Sequence, residues 1–213
     1  MSMQQLGVTI KGIQPLLHAN PQAVARQNRF NRAMAIINSK KTRRTDSDYV
    51  DLANLEVESR LYFDEKLGVY VPGNWMMAAI AGRSFSVAKL GKERVRGAVF
   101  ITQDKLPLKY RWMNKVKTID DVVGNPQFRH SMILPQGQSR LEKNMPIFHD
   151  WSFTADIEFD DTVLDKADLK RILENAARYV GFGDFRPTFG RAEAVFEAAP
   201  AAAKAAARET AEV

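Results

Sequence analysis

A chain of 213 residues, 45% hydrophobic and 26% charged, is long enough for one domain with a real core, or for one core carrying an insertion. No apolar run approaches the roughly 20 residues of a membrane helix, the start MSMQQLGVTIKG lacks the charged-then-apolar layout of a signal peptide, and the absence of cysteine excludes disulfides and thiolate metal sites. A cytoplasmic, intracellular protein is expected, and the net charge of +6 points toward an acidic partner.

Gln5 to Gln14 alternates, with Val8 and Ile10 on one side and Thr9 and Lys11 on the other, which predicts a strand ended by Pro15. PLLHANP follows as a loop. Residues 22–38 place Val24, Phe30, Met34 and Ile37 at near-helical spacing and predict a basic amphipathic helix. NSKKTRRTDSD has no apolar anchor and reads as a mobile break, after which Asp46 or Ser47 caps a helix to about Ser59. Leu61–Phe63 and Val69–Val71 flank DEKLG as a short hairpin.

Past Pro72 a helix is expected from Asn74 to Leu90, with Trp75, Ala78, Ala79, Gly82 and Phe85 on one stripe and Gly91 as its stop. Val95–Thr102 and Leu106–Trp112 read as strands, whereas residues 114–127 show no clear period. Ser131 to Ile147 reads as two extended pieces broken by PQGQ. WSFTADIEF (151–159) alternates without error and predicts a half-buried antiparallel strand. Asp165 caps a helix to Val180 with an apolar stripe of Leu169, Ile172, Leu173, Ala176 and Val180. The stretch VGFGDFRPTFGR and a last strand, RAEAVFEA, complete the core, and the alanine-rich tail 198–213 shows no core-forming pattern.

Setting aside residues 22–71 and the short pieces at 95–127 leaves strand, helix, strand (131–147), strand, helix, strand. That order, βαββαβ, predicts an α+β fold: a ferredoxin-like, RRM-like core as a single domain over 1–197, with a helical basic insertion at about 22–71 after the first strand.

Charge is distributed unevenly. Arg26, Arg29, Arg32, Lys40, Lys41, Arg43 and Arg44 fall in one stretch without an acid, and seven acids then occupy Asp46 to Glu65. A second basic cluster holds Arg83, Lys89, Lys92, Arg94 and Arg96 against Glu93 alone. Such blocks are what a phosphate-backbone binder needs. Pairing between the basic and acidic blocks is the structural alternative.

VTIKGIQPLLHAN at the start, the βαββαβ order, and GFGDFRPTFGR between the second helix and the last strand together resemble the RAMP superfamily, the repeat-associated RNA-binding proteins of CRISPR effector complexes. The length suits a compact member, such as one carried by a phage or mobile element. The resemblance implies that the glycine loop lies against nucleic acid. Gly181, Gly183 and Gly190 would then let the backbone approach a phosphate, Arg186 and Arg191 would bond phosphate oxygens, and Phe182, Phe185 and Phe189 would stack on bases. The alternative, favoured for Gly181 and Phe189, is a helix cap and a turn with its rings in the core. The insertion falls where backbone-type members elaborate a clasping lobe. The usual RNA-recognition strand signature is absent.

The expected function is therefore non-enzymatic binding of single-stranded nucleic acid, RNA ahead of DNA, with oligomers or a filament along the strand as the resemblance implies. No membrane partner, cofactor or metal is expected. Some RAMP proteins cleave RNA without metal, and His18, in the loop after the first strand, is the one histidine placed for such chemistry. A lone loop histidine is more often structural. Asp156, Glu158, Asp160 and Asp161 cluster at a strand end, which solvent exposure already explains. The rivals are a phage-type inhibitor or assembly protein docking on an acidic protein, a single-stranded DNA-binding or annealing protein, and a metal-independent ribonuclease.

Overall fold

The alternation that marks the first strand and WSFTADIEF builds the central sheet. A computed structural model describes residues 3–25, 27–82, 91–137 and 139–196; Arg26, Arg83, Lys89 and the alanine-rich tail lie outside them. Strand β1 (Met3–Gly12) is followed by the two-residue β2 (Leu16–Leu17) and by helices α1 (Arg29–Ser39) and α2 (Asp46–Arg60). Short strands β3 (Phe63–Asp64) and β4 (Gly68–Pro72) lead into α3 (Gly73–Ile80). Next come α4 (Lys92–Ala98), β5 (Val99–Ile101), β6 (Lys105–Pro107) and the single-turn α5 (Asp120–Val123). The last part holds β7 (Arg129–Gln136), β8 (Ser139–Phe148), β9 (Ser152–Asp160), α6 (Lys166–Asn175), a π-helical turn Ala176–Val180, and β10 (Ala192–Phe196).

The fold is mixed α/β with antiparallel sheets. The central sheet runs β10-β1-β9-β5, and every neighbouring pair in it is antiparallel. Its register sets Val8 opposite Ala155 and Ile10 opposite Phe153, so apolar side chains fall in rungs on one face. Leu6, Val8, Ile10, Phe153, Ala155, Ile157 and Phe159 are buried there against Met76, Ala79 and Ile80 of α3 and Leu169, Ile172 and Leu173 of α6. Each large side chain so buried contributes about 1.5–3 kcal/mol. The other face is polar: Gln5 Nε2 donates to Glu158 (3.2 Å), the Thr9 and Thr154 hydroxyls bond each other at 3.1 Å, and Gln103 Nε2 donates to Asp156 (2.6 Å).

A second sheet runs β2-β8-β7 and a third β3-β4-β6. Helix α2 lies on one face of the second sheet, where Glu56 accepts from the backbone N–H (2.8 Å) and side-chain amide (3.0 Å) of Asn144 and Asn54 accepts from Arg129. The other face holds Leu17, Met145 and Ile147, covered by Phe189. Period-2 alternation explains the division, since Asn144 and Met145 are neighbours in one strand and point to opposite sides.

Several local expectations are corrected. The extended stretch 131–147, expected inside the four-stranded sheet, is a hairpin of the second sheet, and β5 takes its place beside β9. Alternation shows that a strand has one buried face but not which strand it pairs with. Val95–Thr102 is not one strand: it begins within α4 and only Val99–Ile101 is extended. The strand expected at Leu106–Trp112 shrinks to Lys105–Pro107. Helix α1 starts at Arg29 rather than at 22, because the Asn28 side chain caps it by accepting from Asn31 N–H at 2.8 Å. NSKKTRRTDSD is ordered structure: α1 runs to Ser39, Lys41–Arg43 form a 3-10 turn, and Thr45 rather than Asp46 or Ser47 caps α2 in a capping box with Asp48. No helix among the described residues is long and apolar enough to cross a membrane.

Candidate nucleic-acid interface

The glycine loop is built against the protein's own backbone. The last helix loosens into a π-turn at Ala176–Val180, closed by a bond from Gly181 N–H to the Ala176 carbonyl (2.8 Å). Gly181 turns the chain at φ +76, a region that glycine enters without a Cβ penalty. Phe182 N–H then donates to Gly190 O (2.9 Å), Gly190 N–H to Pro15 O (2.8 Å), and Asp184 N–H to Leu17 O (3.1 Å). The loop is thereby laced to the segment that follows β1.

This lacing corrects two expectations. A Cβ on Gly183 would sit 2.3 Å from the Leu17 carbonyl oxygen, and one on Gly190 would sit 1.8 Å from that of Phe182. The bare backbone at Gly183 serves an approach to Leu17, not to a phosphate. Phe182 is buried and edge-on to Phe153, with centroids 5.4 Å apart, so it has no face to offer a base. Phe189 packs over the second sheet and against the His130 ring (5.2 Å). Phe185, 36% exposed at φ +52, is the loop phenylalanine left facing outward.

Arg186 and Arg191 are exposed. Arg186 donates to Gly181 O (3.3 Å) and Arg191 Nε to Arg178 O (3.0 Å), and neither forms an ion pair among the described residues. Beside them stand two residues that sequence reasoning passed over, Arg178 and Tyr179. Both are exposed, Tyr179 by 60%. A recess of about 260 Å³ is lined by Ala78, Gly82, Tyr179, Val180, Arg186 and Pro187. A second, of about 410 Å³, is lined by Glu174, Asn175, Arg178, Tyr179, Glu193 and Ala194. The signal available in the sequence was an Arg-Tyr pair off the apolar stripe, ending two residues before the helix-ending glycine.

The basic insertion is partly neutralised. Arg29 pairs with Glu58 and Lys40 with Asp48, so the pairing alternative holds for these two. The Lys40 ammonium, with the Thr45 N–H, holds the Asp48 carboxyl below its ordinary range. Arg32 donates to Gln27 O (2.9 Å), Arg44 reaches Asn38 O (3.3 Å), and Lys41 and Arg43 stand exposed on the 3-10 turn. In α4, Lys92, Arg94 and Arg96 are exposed, and Arg96 has Glu93 only at 3.9 Å. The cations do not share one face. Helix α2, which carries α1, packs on the side of the second sheet opposite Phe189, so the sheet separates the insertion from the glycine loop.

Two further positions resolve against binding or chemistry. The open face of the central sheet carries Asp156, Glu158 and Glu193 with Lys11 as the lone cation of β1, so it repels a phosphate chain. His18 is fully buried among Tyr62, Trp75 and Phe148, with ring centroids 5.4, 5.6 and 4.8 Å away. Its Nδ1 accepts from Tyr62 N–H at 3.4 Å, and burial drives its pKa down to about 3. The neutral imidazole is enclosed and has no exposed surface, which corrects its expected place on an open loop. Among the described residues no three acids or histidines gather as a metal site requires.

No protein-family model matches the sequence, and no curated protein does. Among solved structures the chain is similar to the crystal structure of Cmr6 from Pyrococcus furiosus, at 11% identity and a TM-score of 0.34, over 92% of this chain and 100% of that one. A likeness of that size does not define a fold family.

Proposed function

We propose that the chain binds a single strand of nucleic acid along its phosphate backbone, RNA ahead of DNA, without cleaving it. The observation that carries this reading is the exposed pair Arg186 and Arg191 on the glycine loop, which form no ion pair among the described residues and whose hydrogen bonds go to main-chain carbonyls. Charges that the fold leaves uncompensated are available to a phosphate, and a guanidinium bonds one in forked geometry. Lys92 and Arg94, and Arg32, Lys41 and Arg43 on the other side of the second sheet, offer separate exposed cations to the same strand.

We also read the central sheet with α3 and α6 as a ferredoxin-like core of RAMP type, compact as in a phage or mobile-element member and acting in the cytoplasm. Supporting this are the strand order β10-β1-β9-β5, one helix region between β1 and β5, and another between β9 and β10. The strand then follows the arginine-bearing loop rather than the acidic open sheet face. Assembly of several copies along one strand belongs to the same proposal.

A second reading, docking on a protein, is favoured by Ile133 (67% exposed) and Leu141, exposed in the β7–β8 hairpin. One purification separates the two. Protein prepared without nuclease is expected to carry ribonuclease-sensitive fragments, with periodic lengths if copies line up. Protein free of nucleic acid at low salt contradicts the main reading and leaves the second.

A further inference from the structure

Tyr179 is a large aromatic residue left 60% exposed at the end of the last helix. The π-turn at Ala176–Val180 adds one residue to the helical turn, and such turns recur at functional sites. Ala176 and Ala177 stay buried while Arg178 and Tyr179 face solvent. The backbone beneath is fixed from both ends, by the bond from Gly181 N–H to Ala176 O and by Arg191 Nε on the Arg178 carbonyl. The ring borders both recesses described above: Arg186 lies across the smaller one, and Arg178 shares the larger with Glu174 and Glu193. No aromatic ring or cation packs against Tyr179 among the described residues. The result is an exposed π-surface on a hydrogen-bonded backbone, with Arg178 and Arg186 beside it.

From this juxtaposition we propose that Tyr179 is a stacking platform for one unstacked base of the bound strand, with Arg178 and Arg186 taking the phosphates on either side of that base. The inference rests on the backbone-binding reading and adds a base-dependent contact to it. Stacking of a base on an aromatic ring is tolerant of base identity, because every base has a π-face. The site therefore selects strands whose bases are free, and excludes a duplex in which they are paired. Glu174 and Glu193, which line the larger recess with Arg178, disfavour a phosphate against their own carboxylates.

The test compares a labelled single-stranded oligonucleotide with the same strand made wholly of abasic sugars, which keeps every phosphate and loses every base. The wild-type protein is expected to bind the base-bearing strand about tenfold more tightly. Tyr179→Ala binds both strands equally, Tyr179→Phe keeps the preference, and Arg178→Gln weakens both strands alike. A wild-type protein that binds the two strands equally, or a Tyr179→Ala variant that keeps the preference, overturns the platform and leaves backbone binding intact. A wild-type protein that binds neither strand overturns both. An unchanged melting temperature for Tyr179→Ala, expected of an exposed side chain, separates loss of stacking from loss of fold.

Discussion

Gly183 and Leu17 meet so closely that the glycine loop and the segment after β1 form one unit: the hydrogen that replaces a side chain at Gly183 points at the Leu17 carbonyl oxygen, 2.3 Å from where a Cβ would stand. Gly183 also has φ +75. Gly183→Ala thus meets a backbone clash on top of the left-handed penalty of about 1–2 kcal/mol, and a total loss of about 2–4 kcal/mol is expected. Gly137→Ala is the control. Gly137 has φ +59 with nothing near its missing Cβ, so it incurs the backbone penalty alone. Urea unfolding of the two variants measures the difference.

Thr45 sets the start of α2, on which the basic insertion is mounted. Its hydroxyl accepts from Asp48 N–H while the Asp48 carboxylate accepts from Thr45 N–H at 2.9 Å. Thr45→Ala removes half of this reciprocal cap and is expected to cost about 1 kcal/mol. A lowered denaturant midpoint with an unchanged slope checks it.

His18 makes stability depend on pH in a defined direction. Folded, its pKa lies at about 3 against 6.5 for the free side chain, so below pH 6.5 the unfolded chain takes up a proton that the folded one refuses. This contribution is fully present above that value and is lost progressively down to about pH 3, reaching about 2 kcal/mol by pH 5. His18→Asn keeps an acceptor for Tyr62 N–H and has no such titration. Unfolding curves from pH 7.5 to 5 are expected to fall less steeply for the variant than for the wild type.

The two basic regions contribute separately if they lie on different sides of the second sheet. Replacing Arg186 and Arg191 by glutamine is expected to weaken strand binding and to make its salt dependence shallower by about 0.7 per contact removed. Replacing Lys41 and Arg43 adds to that effect without altering it, since well-separated sites are additive. Salt titrations of the two double variants and their combination check this.

The most legible parts of the sequence were those where a single period runs long enough to fix a face. Leu6, Val8 and Ile10, the alternate residues Trp151, Phe153, Ala155, Ile157 and Phe159 of WSFTADIEF, and the stripe Leu169–Ile172–Leu173 all turn inward as their spacing requires. Strand partners were not legible: Val99–Ile101 is too short to show a period, while the longer stretch 131–147 shows one that suits either sheet. In the site, composition identified the loop but not its orientation. Three glycines announce close approach somewhere, and only the positions of Leu17 and Phe182 reveal that it is to the protein itself. Arg186 and Arg191 were found by charge. Tyr179 was missed because an aromatic residue off the apolar stripe reads as ordinary surface, and only the fold brings Arg186 to the recess beside it.

The central claim is tested most directly by the affinity of the purified protein for a labelled single strand as salt is raised. Backbone binding predicts tight association at low salt and a straight, negative slope of log affinity against log salt, shallower when Arg186 and Arg191 are replaced. No association at low salt, or an affinity indifferent to salt and to both arginines, contradicts it.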